Sequence, residues 1–343
     1  MNYRLLGRSG LRVSELALGT MTFGEDWGWG SSFEEARKIY EAYRAAGGNF
    51  IDTANIYTQG TSEKFVGELI AGHREEVVLA TKYTNAAPGQ DANAGGNQRK
   101  NMMQSVEASL KRLKTDYIDL YWLHVWDQMT PVEEVMRGFD DLVRQGKILY
   151  AGVSDAPAWW FAQANTLAAM RGWSPFVALQ VEYSLVERTV ERELVPAAKA
   201  LGLGLTAWSP LAGGVLTGKY KEDKAKDGRY TKEMMKGFQS QGQRIDRIVD
   251  AVREVAGQTG RSAAQVALAW LRFRETPVIA ILGARKMEQF EDNLASLTLS
   301  LTEEQLKQLN DASEIELGFP HSFYQREFVR NLVYGGLRDR ILQ

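Results

Sequence analysis

Asp52, Tyr57, Lys82 and His124 are the side chains of this sequence whose types and settings could carry proton chemistry. The first two belong to Gly48-Asn49-Phe50-Ile51-Asp52-Thr53-Ala54-Asn55-Ile56-Tyr57, a short apolar run that delivers a carboxylate and then a phenol. Phe50 and Ile51 follow a glycine pair and read as the end of a buried strand, with Asp52 where that strand leaves the core and Tyr57 in the loop beyond. A phenol has a reference pKa of about 10, so to exchange a proton near neutrality it needs a cation that favours the phenolate. A cation in a partly buried site needs a counter-ion in turn. Lys82, directly after the run Val77 to Thr81, and Asp52 suit those two tasks. His124 directly follows the run Tyr117 to Leu123 and is one of 3 histidines; His73 falls in a helix-to-strand turn and His321 in the tail. Taken singly, each residue has an ordinary reading: a solvated lysine, a packed tyrosine, a satisfied histidine. Together, at the ends of three consecutive predicted strands, they read as one site.

The elements that must hold them alternate. Residues 3–13, with Gly7-Arg8-Ser9-Gly10 between apolar positions, predict a hairpin that plugs one end of the main fold. Strands are predicted at 16–18, 49–52, 77–81, 117–123, 148–152, 176–180, 203–207 and 278–281. Helices are predicted at 61–71, 98–114, 156–171, 189–201, 243–258 and 262–273, with 286–297 and 302–314 closing the unit. Ser32-Phe-Glu-Glu35 reads as a capping box opening a helix that Gly47-Gly48 stops. Thr130-Pro131-Val132-Glu133 reads as a second, opening a helix that ends before Gly146, and Ser262 with Gln265 caps a third. Eight β-then-α units with near-continuous apolar strands mean parallel pairing buried on both faces, and such units close into a (β/α)8 TIM barrel. A doubly wound sheet is the competitor, but no G-x-G-x-x-G follows a predicted strand and the polar candidates fall at strand C-termini, where a barrel builds its site. The expectation is a single domain over residues 1–343, with an N-terminal β-hairpin, long βα loops at 84–100 and 218–242, and a C-terminal tail.

Composition narrows the partners. Hydrophobic residues make up 44% and charged residues 24%, enough for a large core. Lysine plus arginine (41) against aspartate plus glutamate (43) gives a net charge of −2, so no global field draws the chain to nucleic acid or anionic lipid. A small molecule is the expected partner. Cysteine is absent, which removes disulfides, thiolate metal sites and a Cys nucleophile, and suits a reducing compartment. With no apolar run of about 18 residues and no apolar core of a secretory signal near Met1, a cytoplasmic protein is expected.

Leu18-Gly19-Thr20-Met21, Phe50-Ile51-Asp52-Thr53-Ala54 through Tyr57, Thr81-Lys82, Leu123-His124, Gly152-Val153-Ser154, Gln180, Trp208-Ser209-Pro210-Leu211 and Gly283-Ala284-Arg285 with Gln289 and Asn293 carry a resemblance. In order and context they resemble the signatures of the aldo-keto reductase superfamily over nearly the whole chain. The resemblance implies a (β/α)8 oxidoreductase that uses NAD(P)H without a metal, its Asp, Tyr, Lys and His tetrad carried by Asp52, Tyr57, Lys82 and His124. Residue chemistry agrees. Reducing a carbonyl needs a hydride donor, which no side chain can be, so a cofactor supplies it. The developing alkoxide needs a proton, from Tyr57 under the influence of a Lys82 that Asp52 keeps charged and in place. His124 would orient the carbonyl and donate a hydrogen bond to its oxygen.

The same resemblance sets Gly19, Thr20, Met21, Ser209, Pro210, Leu211 and Gly283 beside the cofactor. Ser154 and Gln180 would hydrogen-bond the nicotinamide carboxamide and Trp208 would stack on the ring. Position 155 is Asp where the family usually has Asn; an ionised carboxylate only accepts, so Asp155 would take the carboxamide NH2 and leave Ser154 and Gln180 as donors. Gly213-Gly-Val-Leu-Thr-Gly218-Lys219 has P-loop spacing but ends in Tyr220 and lacks the Mg2+-binding hydroxyl. In a barrel, Gly213 and Lys219 would instead lie along the cofactor pyrophosphate. Arg285, at a helix start with Gln289 and Asn293 facing the adenine, suits a ribose 2′-phosphate, so NADPH is expected over NADH. Trp159 and Trp160 read as helix packing, whereas Trp27, Trp29 and Trp126 fall in rim loops where a substrate pocket would be built. Substrate choice is assigned to the rim loops and to the tail from Phe319 to Tyr334, and 218–242 is expected to act as a lid over the cofactor. The expected activity is reduction of an aldehyde or ketone to an alcohol. The alternatives are a nicotinamide-nucleotide-binding regulatory subunit similar to potassium-channel β subunits and, with less support, a metal-dependent barrel isomerase.

Overall fold

A computed structural model of the chain describes residues 1–87, 89, 91–219 and 242–341. Strands β1 (Tyr3–Leu5) and β2 (Arg12–Ser14) pair as an antiparallel hairpin. Strands β3 (Leu16–Gly19), β4 (Phe50–Asp52), β5 (Val78–Tyr83), β6 (Ile118–Leu123), β7 (Ile148–Ser154), β8 (Phe176–Glu182), β9 (Gly204–Trp208) and β10 (Val278–Leu282) are all parallel. Among the described residues these eight strands close in chain order, β10 pairing with β3. The chain therefore forms the expected (β/α)8 barrel with its N-terminal hairpin. Helices α1 (Phe33–Ala45), α2 (Thr61–Leu69), α3 (Arg99–Leu113), α4 (Val132–Arg144), α5 (Ala158–Arg171) and α6 (Leu194–Leu201) connect successive strands. Helices α7 (Gly242–Thr259) and α8 (Ala263–Arg272) precede β10, and α9 (Met287–Leu294) and α10 (Glu303–Ser313) follow it. The tail carries α11 (His321–Tyr324) and α12 (Glu327–Tyr334). No helix among the described residues is long and apolar enough to cross a membrane.

The barrel lumen is packed solid at its N-terminal end. Ala17, Phe50, Val78, Ala80, Leu120, Trp122, Ala178, Ile279 and Ile281 form an inner cluster that Leu6 and Val13 of the hairpin complete. The hairpin is the expected plug: Arg8 N donates to Gly202 O at 2.8 Å, and a side chain at Gly7 would collide with Gly202 O and Val177 O at 2.5 Å. Large and small residues alternate across the lumen as the narrow barrel requires. Gly152 is glycine for this reason, since a Cβ there would lie 2.4 Å from the Trp122 ring.

Local corrections have local causes. The predicted helix 189–201 breaks into a 3-10 turn (Thr189–Glu191) and α6, because Pro196 has no N–H for a continuous helix but is tolerated in a first turn. Thr130 does not cap α4; its hydroxyl donates to Asp127 at 2.6 Å and Pro131 occupies the cap position. Ser32 does cap α1, accepting from Glu35 N, but the Glu35 carboxylate accepts from Met287 N on α9 at 2.7 Å instead of closing the box. Strands β5, β7 and β8 run two residues further than their apolar runs, so Lys82 and Ser154 lie inside strands.

Candidate active site

Side chains alternate along a strand, so the residue two beyond an inward-facing core residue also faces in. Phe50, Ala80, Trp122, Gly152 and Ala178 face the lumen; two residues later come Asp52, Lys82, His124, Ser154 and Gln180, and Trp208 follows Thr206 in the same phase. The polar tips of six strands thus gather where the packed lumen opens at its C-terminal mouth.

Lys82 is fully buried and is the hub. Its Nζ forms a buried ion pair with Asp52 Oδ2 and donates to Thr53 O at 2.9 Å and Tyr57 Oη at 3.2 Å. Burial opposes its charge, but Asp52 and Tyr57 outweigh burial and hold its pKa above the ordinary lysine value. The second oxygen of Asp52 accepts from Gln180 Nε2 at 3.0 Å, across 128 residues of sequence. That bond uses one of the two Gln180 amide hydrogens, a claim on Gln180 that its position alone does not reveal.

Tyr57 stands on an unusual turn. Thr58, Gln59 and Gly60 have φ of 44°, 56° and 90°, a left-handed run in which the β-branched Thr58 is strained. Hydrogen bonds over-determine it: Thr58 Oγ1 donates to Phe23 O at 2.6 Å and accepts from Ser62 N at 3.0 Å. The turn sets the Tyr57 ring edge-on to His124, with centroids 6.0 Å apart.

His124 is held neutral: burial first, and the Lys82 cation second, lower its pKa to about 3. Its Nδ1 lies 3.1 Å from Asn85 Nδ2. An amide nitrogen has no acceptor capacity, so Nδ1 accepts and the ring proton resides on Nε2. Asn55 Nδ2 donates to the Asn85 backbone carbonyl at 3.1 Å and so braces the loop that carries this side chain. Neither asparagine is apparent from spacing, since both sit in loops.

Above these groups lies a cavity of about 580 Å³. Of the residues expected around a cofactor, Gly19, Met21, Asp52, Ser154, Asp155, Gln180, Trp208, Ser209, Pro210, Leu211, Gly213, Lys219, Gly283, Arg285, Gln289 and Asn293 line it. So do Trp27 and Trp29, whose rings lie 5.6 Å apart in the first rim loop. Two expected residues are elsewhere. Thr20 is fully buried, its hydroxyl bonded to Asp52 O and Ser62 Oγ, because the residue after Gly19 points out of the lumen. Trp126 packs edge-on against Trp159 at 5.4 Å and near Trp160, outside the cavity lining. No tail residue among those described lines the cavity. The expected lid falls almost entirely within 220–241, outside the described residues. Thr22, Ile56, Gly214, Thr217 and Ala264 line the cavity without having been singled out.

The model of the Aldo/keto reductase family matches residues 15–314. The chain belongs to the aldo/keto reductase family. It is 38% identical to a norsolorinic acid reductase of Aspergillus flavus over 332 residues, 94% of this chain and 83% of that one. It is 40% identical to a norsolorinic acid reductase of Emericella nidulans (92% and 82% covered) and 37% identical to the aryl-alcohol dehydrogenase (NADP+) of Phanerodontia chrysosporium (95% and 89%). The protein is accordingly an NAD(P)H-dependent oxidoreductase.

The cavity of this aldo-keto reductase suits a dinucleotide. Near the tetrad, the buried Ser154 hydroxyl lies close enough to Asp155 to favour its carboxylate but makes no hydrogen bond of regular geometry among the described residues, which leaves it able to meet a carboxamide. Trp208 Nε1 donates to Asp155 Oδ1 at 3.1 Å, which fixes the indole plane. Asp155 is exposed to the cavity, but the surrounding cavity wall strips it of bulk water, and this desolvation, opposed by the Trp208 N–H, the Lys82 cation and the Ser154 hydroxyl, raises its pKa to about 6. At the far end two cations converge: burial, and then Arg285, hold the Lys219 pKa below its ordinary value. Gly213 and Gly214 bend there with φ of 61° and 93°, and a Cβ at Gly214 would strike the Lys219 side chain at 2.7 Å. The Arg285 turn is braced from the first βα unit by Thr22 Oγ1 to Ala284 O (2.6 Å) and Ser31 Oγ to Arg285 O (3.0 Å). Asp292, the acid nearest this end, is occupied: it accepts from Ser262 Oγ at 2.8 Å and Gln265 Nε2 at 2.7 Å.

Proposed function

We propose that the protein is an NADPH-dependent reductase that converts an aldehyde or ketone, preferentially an aromatic one, to its alcohol in the cytoplasm. The observation that carries this reading is the buried Asp52–Lys82–Tyr57 relay opening onto a dinucleotide-sized cavity. The reduced nicotinamide supplies the hydride. Tyr57 gives its proton to the carbonyl oxygen, Lys82 stabilises the phenolate left behind, and the His124 Nε2–H donates to the same oxygen as charge develops. Trp27 and Trp29 wall the substrate end with aromatic faces, in keeping with a relative named for aryl alcohols. The test is NADPH consumption across matched aromatic and aliphatic aldehydes. Aromatic aldehydes should give the higher kcat/KM; cofactor binding with no turnover on any carbonyl would favour a regulatory nucleotide-binding subunit.

The preference for NADPH rests on Arg285 and Lys219, with the Asp292 carboxylate engaged and unable to grip the ribose hydroxyls. Arg285→Ala is expected to weaken NADPH binding by about 1.5–3 kcal/mol, the scale of a charge-assisted contact, and to leave NADH nearly unchanged. Fluorescence titration of both cofactors checks it, and equal dissociation constants for the two in the unmodified protein would refute the assignment.

Asp155 predicts a pH effect. Its pKa is raised, so the protonated form persists to about pH 6 and the carboxylate is restored above that. A carboxylate beside the nicotinamide favours the cationic oxidised ring, so affinity for NADP+ relative to NADPH should rise as pH passes upward through about 6. In Asp155→Asn the ratio should be flat over the same interval; a ratio that climbs equally in both proteins removes Asp155 from the explanation.

A further inference from the structure

We propose that the C-terminal tail is a self-association surface through which two copies of this chain pair. The tail stands apart from the barrel: α11, α12 and the turn Arg338–Arg340 pack chiefly on one another. Its root is pinned to the loop after β8, where Arg192 donates to Glu316 O at 2.7 Å and His321 Nε2 meets Glu193 Oε1 at 3.0 Å. Beyond that root the chain exposes apolar surface on a scale seen nowhere else in the described residues. Phe319, Phe328, Leu332, Val333, Leu337 and Ile341 are each more than half exposed, between 51% and 82%. With roughly 150–250 Å² for each of the two aromatic side chains and less for each of the four aliphatic ones, the exposed fractions amount to on the order of 600–700 Å². A monomer's largest apolar patch is about 300–600 Å², and each partner in a stable complex contributes about 800 Å². The area therefore fits one protein partner of the same size class.

The occupant is a second copy. In α12, Phe328, Val329, Leu332 and Val333 share one face of the helix, and of these four only Val329 is buried. An amphipathic stripe of this kind is self-complementary when two helices meet about a two-fold axis. A membrane is the weaker occupant. Glu327 and Asp339 sit among the tail's arginines, and two of those, Arg326 and Arg338, lie over the tail's own Phe323 and Tyr334 rings at 5.8 Å instead of forming a basic face.

Sedimentation velocity of the full chain at micromolar concentrations and above tests this. The expected mass is twice the 38.4 kDa of one chain. Phe328→Asp combined with Leu332→Asp should return it to one chain's mass, with NADPH titration unchanged. Should that variant lose cofactor binding, Val333→Asp with Leu337→Asp must give the same dissociation. A chain that sediments as a monomer at every concentration overturns the proposal, as does a dimer that survives both variants. So does a monomer that co-sediments with phosphatidylserine vesicles through this tail.

Discussion

Tyr57→Phe should lower carbonyl turnover by roughly 10²–10⁴-fold, the range a positioned general acid contributes, while cofactor affinity stays near normal. The change removes one oxygen and almost no volume. That oxygen receives the 3.2 Å hydrogen bond from Lys82 and faces the reacting end of the cavity, not the Lys219 and Arg285 end where the nucleotide charge would be held. The strained turn beneath it is held by Thr58 through Phe23 O and Ser62 N, none of which involves the phenol, so the ring should keep its place against His124. The measurement is kcat on the best aldehyde beside the NADPH dissociation constant. A phenylalanine variant that retains most of its turnover would remove Tyr57 as the acid. Loss of cofactor affinity in step with turnover would assign the phenol to the nucleotide instead.

The sequence makes the barrel and the tetrad legible for one shared reason: strand alternation. Phe50 and Asp52, Ala80 and Lys82, Trp122 and His124 are each two apart, so the pattern that identifies a buried strand also fixes which side of it the polar tip faces. Helix starts are legible where the hydroxyl oxygen still accepts from the first turn, as at Ser262, which takes Gln265 N while donating to Asp292, and misread where the next residue takes the cap position, as at Thr130, whose hydroxyl donates to Asp127 while Pro131 opens the helix. What spacing cannot show is contact made by closing the barrel. The Gln180 bond to Asp52 spans 128 residues, and the Asn85 bond that sets the His124 tautomer spans 39. Rim loops were the least readable part. Trp27 and Trp126 look alike in the sequence, yet the first lines the cavity and the second packs into the Trp159–Trp160 cluster.

Lys82→Met is expected to damage activity and stability together, and the two losses separate in a double variant. Lys82 is completely buried and is the cation paired with Asp52; without it the carboxylate keeps only the Gln180 amide among its described partners. Breaking a buried pair by removing one member typically costs about 3–5 kcal/mol, because the other charge is left uncompensated. The folded protein holds the Lys82 pKa above its ordinary value, so its contribution is fully present at neutral pH and is lost only as pH rises through that elevated value. The variant should therefore lose stability at neutral pH and show a shallower decline in strongly alkaline solution. Turnover should fall as in Tyr57→Phe or further, since the phenolate has lost its stabilising cation. Asp52→Asn combined with Lys82→Met removes the orphaned charge, so urea unfolding should recover most of the stability while turnover stays lost. An alanine-sized effect on stability, or a pH–rate profile unchanged from the parent, would mean that Lys82 fills space beside Tyr57 without governing its proton.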